Sequence, residues 1–266
     1  MDAIDDGHPS DSIGRAEALA LLAWQIELGA DEAILDAAVD RYGLSHDTLS
    51  RPGAASSEPP PVSGKADPVA AAQVMAASAP DLETLAARMS AFDQCEIKRG
   101  ARSFVFSDGD PRARVMIVGE APGRDEDIAG RPFVGAAGQL LDLMLSAIGL
   151  SRGHPSPERG VYITNVLPWR PPSNRTPDGT EIAMFLPFLR RHIELASPDL
   201  VVLMGNTPCQ ALLGRTGITR IRGQWTEALG RPVLPMFHPA YLLRTPEAKR
   251  EAWADLLSLR ARLGQG

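Results

Sequence analysis

The chain of 266 residues has only two cysteines, Cys95 and Cys209, far apart and without C-x-x-C spacing. That excludes a disulfide framework and a tetrahedral cysteine metal site built by this chain alone. Each cysteine reads as a small buried apolar residue. Long apolar runs are missing too: none approaches the roughly 20 residues needed to cross a bilayer. The start, Met1-Asp2-Ala3-Ile4-Asp5-Asp6, lacks the basic and apolar regions of a signal peptide. The expectation is a cytoplasmic protein without membrane contact. Neither G-x-G-x-x-G nor a Walker A sequence occurs, so a nucleotide-binding enzyme is the weakest function class.

What is present is ordinary in bulk and uneven in detail. Hydrophobic residues make up 44% and charged residues 23%, as in a soluble globular protein with one sizeable core and an appendage. The net charge of −6 hides a division. Residues 1–85 carry 4 Lys/Arg against 15 Asp/Glu, a net of −11, whereas residues 86–266 carry 23 against 18, a net of +5. Of those 23 basic residues 21 are arginine, the side chain suited to bidentate phosphate contact. The main domain can therefore hold nucleic-acid phosphates while the whole chain stays acidic. An acidic leader without influence on function fits the same charges.

Residues 1–50 read as an acidic helical extension, with Leu19, Leu21, Leu22, Trp24 and Ile26 in a helix over 14–28 and a second helix over 31–44. Residues 51–67 are rich in Pro, Ser and Gly and read as a flexible linker. Residues 68–266 form the main domain. It begins with helical patterns at 68–78 and 81–91, the second N-capped by Asp81 with Glu83 in its first turn. From about residue 100 strands and helices alternate, which predicts an α/β fold: a small parallel sheet between helical layers. Predicted helices cover Leu140–Ile148, Ile182–Ile193, Pro208–Leu213 and Glu247–Leu263, the last with Trp253 and Leu256 facing inward.

Four predicted strands each run into polar residues. Val115–Val118 leads into Gly119-Glu120-Ala121-Pro122-Gly123, and Val161–Thr164 into Asn165. Leu200–Met204 leads into Gly205-Asn206, and Val233–Phe237 into His238-Pro239. The carboxyl ends of parallel strands are where open α/β sheets bind ligands, so four such junctions in series mark a site.

The order Gly119-Glu120-Ala121-Pro122-Gly123, Gly130-Arg131-Pro132-Phe133-Val134-Gly135, Tyr162-Ile163-Thr164-Asn165, Arg170-Pro171-Pro172-x-Asn174-Arg175 and His238-Pro239-Ala240-Tyr241-Leu242-Leu243-Arg244 resembles the uracil-DNA glycosylase superfamily. The resemblance covers about residues 92–262 and is nearest to the family 4 enzymes, the iron–sulfur type. It implies a three-layer α/β/α sandwich and a monofunctional hydrolase of base-excision repair. Such an enzyme flips deoxyuridine out of DNA, cleaves the N-glycosidic bond and leaves an abasic site. The partner implied is uracil-containing DNA, and the protein is expected to be a monomer.

Each residue so implicated has a chemical reason. Phe133 offers a flat apolar face to replace the stacking a flipped base loses; the structural alternative is a core ring anchoring its loop. Asn165 presents a donor beside an acceptor, matching O4 and N3–H of uracil and mismatching cytosine. Gly119 and Ala121 join it as uracil-binding positions. His238 resembles the motif histidine that donates to uracil O2, where negative charge develops. Glu120 and Glu126 are the candidate acids; by motif position Glu126 orients the water and Glu120 is structural or contacts the base. Asp125 and Asp127 beside Glu126 allow a merely solvated acidic loop. Arg170, Asn174, Arg175, Tyr241, Leu242 and Arg244 are the DNA-binding positions, with Tyr241–Arg244 as the wedge and phosphate clamp. The alternative for that segment is a helix turn packed on the sheet.

The pattern departs from the family in three places. The four cluster-ligand positions correspond here to Phe92, Cys95, Trp169 and Phe185, and thiolate ligation needs four cysteines. No iron–sulfur cluster or other cofactor is therefore expected, with aromatic packing in its place. Gly123 stands where the main branch carries the aromatic residue that blocks the thymine methyl. The loop Ser173–Thr180 lacks the histidine of the covalently trapping branch, so hydrolysis with turnover is expected. Two rivals stand beside the enzyme: a non-catalytic reader of uracil or abasic sites, and an interaction module for a polymerase partner acting through residues 1–50.

Overall fold

The structure, a computed structural model, describes residues 67–264. The expected extension and linker, residues 1–67, lie outside the described residues except for Asp67, which caps the first helix. Two helices open the described chain, α1 (Pro68–Ala77) and α2 (Leu82–Ala91). Their starts follow from capping: Asp67 accepts from Val69 N, and Asp81 accepts from Thr84 N at 2.7 Å, each satisfying an otherwise orphaned helix N–H.

The six strands are β1 (Ser107–Gly109), β2 (Val115–Gly119), β3 (Val161–Asn165), β4 (Leu200–Met204), β5 (Thr226–Ala228) and β6 (Arg231–Met236). Their order in the sheet is β1-β3-β2-β4-β6-β5. The central four are parallel, and the short outer strands pair antiparallel. Strands β2, β3 and β4 are buried along their whole length, which explains their unbroken apolar runs.

Alternate side chains of the strands enter two different cores. Met116, Val118, Tyr162, Val201 and Leu203 pack with α1, α2 and the long helix α5 (Gly179–Ala196). Val115, Ile117, Ile163, Val202 and Met204 pack instead against helix α4 (Ala136–Ala147) and the final helix α9 (Lys249–Leu263). This period of two gives the three-layer sandwich the sequence predicted.

One inward residue is misplaced by the sequence pattern. Leu256 of α9 is buried, but Trp253 is 43% exposed. The buried stripe is Ala252, Asp255, Leu256 and Leu259, and Trp253 falls off that face. Asp255 is tolerated inside because Arg222 donates to both its oxygens.

Chain order along the sheet reverses at β2. From β2 the chain steps to β3 on one side, then returns past β2 to β4 on the other. A doubly wound sheet opens its crevice at such a switch point, at the carboxyl ends of the strands on either side. Strand β2 leads there into the short helix α3 (Arg124–Ala129), and β4 into α6 (Asn206–Leu213) followed by the single turn α7 (Ile218–Ile221).

Candidate active site

A cavity of about 630 Å³ opens at this crevice, within the range of small-molecule sites. Phe133, Asn165, Glu120, Ala121 and His238, expected from the sequence to lie together, all line it.

Asn165 ends β3, is 4% exposed, and its side-chain amide has no hydrogen-bond partner among the described residues. It sits opposite Gly119 in the β2–β3 register. A Cβ at Gly119 would collide with Asn165 Oδ1 and lie 2.6 Å from Phe133 Cε2. The Gly119 carbonyl accepts from Val166 N at 3.0 Å. Gly119 thus acts as the clearance that lets reader and stacking ring approach each other.

Phe133 adopts φ 54°, a left-handed conformation costly for a bulky residue. Charged groups on both sides hold it there. The Arg152 guanidinium donates to Pro132 O and Phe133 O, each at 2.9 Å, and also bonds Asp108 and Asp142. On the other side Glu126 Oε1 accepts from Val134 N and Gly135 N, each at 2.9 Å.

The two glutamates both line the cavity and differ in their partners. Glu126 Oε2 accepts in addition from Gly123 N at 3.1 Å, so three backbone N–H groups occupy its carboxylate. It braces the Gly123 and Phe133 loops together while also lining the cavity. Asp127 is likewise buried, accepting from Arg102 N and Ser103 N, so this acidic run is structural rather than merely solvated. Glu120, like Glu126, is half-buried and lines the cavity. Its Oε2 accepts from Thr207 Oγ1 at 2.5 Å, and its Oε1 has no partner among the described residues.

His238 caps helix α8 (Pro239–Arg244): its Nδ1 accepts from Ala240 N at 3.1 Å. In the neutral ring the proton therefore resides on Nε2. Burial pushes its pKa down to about 4, the Arg244 charge acts the same way, and Glu126 opposes both. The ring lies against Phe133, centroids 5.3 Å apart with 26° between planes. A flat apolar face, an unpartnered amide, a neutral N–H donor and a free carboxylate oxygen thus converge on one cavity.

The expected DNA-facing positions differ in how far they are exposed. Tyr241–Arg244 is helix rather than loop, and Leu242 is 1% exposed, packed with Phe237, Ala248 and Ala252. The exposed apolar residue of the segment is Leu243. Tyr241 lines the cavity with its ring on Phe237, and Arg244 is exposed at the rim. Arg170 donates to Asn174 Oδ1 at 2.7 Å. Arg175 makes two bonds to Glu181, at 2.8 and 2.6 Å, so its charge is already partnered and organises the start of α5.

Sequence reasoning missed Thr207 and Arg152. Thr207 directly follows the Gly205-Asn206 junction, so extending that junction by one residue would have reached it. Arg152 lies in a loop without motif and acts on a carbonyl 19 residues away, which leaves no local signal.

The four positions compared with cluster ligands come together in one core. Phe92, Cys95, Trp169 and Phe185 are all buried in the same cluster. Phe92 packs edge-on against Phe185 at 5.8 Å and against Phe188 at 5.6 Å. Trp169 lies 5.2 Å from Phe104, with its Nε1 buried and unpartnered among the described residues. Rings fill the volume and one thiol remains, a donor set that does not fit an iron–sulfur cluster. Among the described residues no group of three or more His, Cys, Asp or Glu could hold a metal ion.

The chain is 39% identical over 171 residues to a type-4 uracil-DNA glycosylase of Archaeoglobus fulgidus, spanning 61% of this chain and 83% of the relative. It is 39% identical over 166 residues to the type-4 enzyme of Thermotoga maritima, with the same coverage. With that of Pyrobaculum aerophilum it shares 37% over 190 residues, 66% of this chain and 91% of the relative. Residues 106–257, which contain every cavity residue named above, match the family described as the Uracil DNA glycosylase superfamily, and the chain belongs to it.

Proposed function

We propose that the chain removes uracil from DNA by hydrolysing the N-glycosidic bond, and that it does so without cutting the strand. The observation that carries this reading is the unpartnered amide of Asn165 in the cavity wall beside Phe133. That amide opens onto the cavity without a protein partner among the described residues, and uracil's O4 and N3–H edge would supply both bonds. Cytosine offers the reverse pattern and would leave them unmade. Similarity to enzymes named type-4 uracil-DNA glycosylases supports the same substrate.

In this reading the flipped base stacks on Phe133. The C1′–N1 bond breaks with its electrons passing to the base, and His238 Nε2–H donates to O2 as charge develops there. The uncharged ring donates without a proton being lost or gained. Glu120 Oε1 faces the sugar cation and holds the attacking water. Water supplies hydroxyl to C1′ and its proton ends on the released uracil. Arg244 would hold phosphate, with Leu243 as the apolar residue available to the gap left in the stack. None of the chain's three lysines, Lys65, Lys98 and Lys249, belongs to the motif segments, so no Schiff-base lyase step is assigned.

An end-labelled oligonucleotide with one deoxyuridine tests this. Strand breaks are expected only after alkali. Breaks before alkali would mean lyase activity, and tight uracil-dependent binding without breaks would identify a reader. A partner docking through residues 1–50 rests on sequence alone. Truncation before residue 67 that leaves excision unchanged and loses a bound polymerase would support it.

The reading includes catalysis without a cluster, with the Phe92–Phe185–Phe188 packing bracing the domain. Purified protein should show no broad visible absorption band, and stoichiometric iron would contradict this.

A further inference from the structure

We infer that Thr207 is a positioning residue for the reaction: its hydroxyl fixes one Glu120 oxygen so that the other stays turned to the substrate. The inference rests on the reading of Glu120 as the acid of the cavity. The Thr207–Glu120 bond, 2.5 Å long, crosses the switch point of the sheet, from the end of β2 to the first turn of the helix after β4. Thr207 is 2% exposed, and Glu120 is its hydroxyl's only partner among the described residues. Its neighbours on the buried face of α6 are Pro208, Cys209 and Ala211. Packing alone would be satisfied there by valine, which has the same shape and no polar atom to desolvate. The hydroxyl is accounted for by the carboxylate.

The anchor is itself tied on two sides. Gly205, at φ 96°, donates its N–H to Met236 O at 2.9 Å, tying the start of α6 to β6. Asn206 Oδ1 accepts from Gly217 N and Ile218 N, at 3.0 and 2.9 Å, tying the same turn to α7. Thr207 is held between these two ties, and the amino end of α6 places a favourable dipole toward the carboxylate. A free glutamate samples several rotamers; the bond selects one. Placing a reacting group in advance lowers the barrier to the chemical step and leaves base binding untouched, since binding is the work of Phe133, Asn165 and His238.

The test measures single-turnover excision by the full-length protein on a deoxyuridine oligonucleotide. Affinity is measured separately for the 2′-fluorinated analogue, which resists cleavage. Glu120→Gln comes first. A wild-type rate there would overturn the reading of Glu120 itself, and with it the ground of this inference. With Glu120→Gln slowed, Thr207→Val and Thr207→Ala should excise about 10- to 100-fold more slowly, the worth of one hydrogen bond to a charged group. Their affinity for the analogue should stay within about twofold, and Thr207→Ser should restore most of the rate. Thr207→Val placed on Glu120→Gln should cost nothing more. Wild-type rates in Thr207→Val and Thr207→Ala would overturn the inference. So would a serine variant as slow as valine, or a loss matched by equal loss of affinity.

Discussion

Arg152 donates to the carbonyl oxygen of Phe133 at 2.9 Å, although the ring of Phe133 faces the cavity and Arg152 does not line it. The guanidinium side chain is 15% exposed and bonds two carbonyls and two carboxylates. It therefore holds a residue in a backbone conformation that costs of order 1–3 kcal/mol.

Replacing Arg152 by methionine should keep most of the packing and release the loop. We expect a stability loss of about 2–4 kcal/mol, from four abandoned polar contacts, and excision slowed by at least about tenfold. Urea unfolding and single-turnover rates check this. An unchanged rate would show that Phe133 needs no support from that side.

The two glutamates should separate cleanly. Glu126→Ala leaves three backbone N–H groups without their acceptor and should cost about 2–4 kcal/mol in stability. Glu120→Ala removes one bond to a hydroxyl and should cost about 1 kcal/mol or less. Thermal unfolding of the two variants decides the ranking, and the reverse order would contradict the assignment of brace and acid.

Gly119→Ala adds one methyl group between Asn165 and Phe133. Overpacking of this kind costs about 1–3 kcal/mol, and here the displaced groups are those that read the base. Excision should fall by about 100-fold or more, with folding retained by circular dichroism. Activity within a few-fold of wild type would mean the two side chains have room that the geometry denies.

Buried His192 and half-buried His238 should both cost stability in acid. Burial pushes His192 down to about 3 and His238 to about 4, from an ordinary value of 6.5. The folded state then binds fewer protons than the unfolded chain below pH 6.5, so stability is full above that value and falls as pH drops toward 4 and then 3. His192 also meets Tyr162 Oη at 2.8 Å and lies flat on Phe106, so its protonation disturbs a packed site. Urea midpoints between pH 4 and pH 7 should decline steadily, less so in His192→Asn. A flat profile would contradict the buried, neutral assignment.

Much of this was legible in the sequence because the signals were local. The apolar runs ending in Gly119, Asn165 and Met204 gave the sheet, and Asp81 gave the start of α2 through its own side chain. Asn165, His238 and Glu120 were legible because polar residues stood at strand ends that would not need them, and Phe133 because an aromatic ring stood in a glycine-flanked loop. What escaped depends on distant pairing. Nothing in Asp125-Glu126-Asp127 says that Glu126 turns to amides eight and nine residues on. Leu242 and Leu243 look alike until the helical phase of α8 buries one and exposes the other. Arg175 reads as a phosphate contact until Glu181 claims it.

The most direct test of the account is single-turnover release of uracil from an oligonucleotide with one deoxyuridine, by wild type, Glu120→Gln and Asn165→Asp. The account predicts alkali-dependent cleavage by wild type. Glu120→Gln should be slower by about 100-fold or more, the scale of a lost electrostatic contact to the transition state. Asn165→Asp should lose uracil through repulsion at O4. Wild-type rates in both variants would contradict the assignment of this cavity as the place where uracil is cut from DNA.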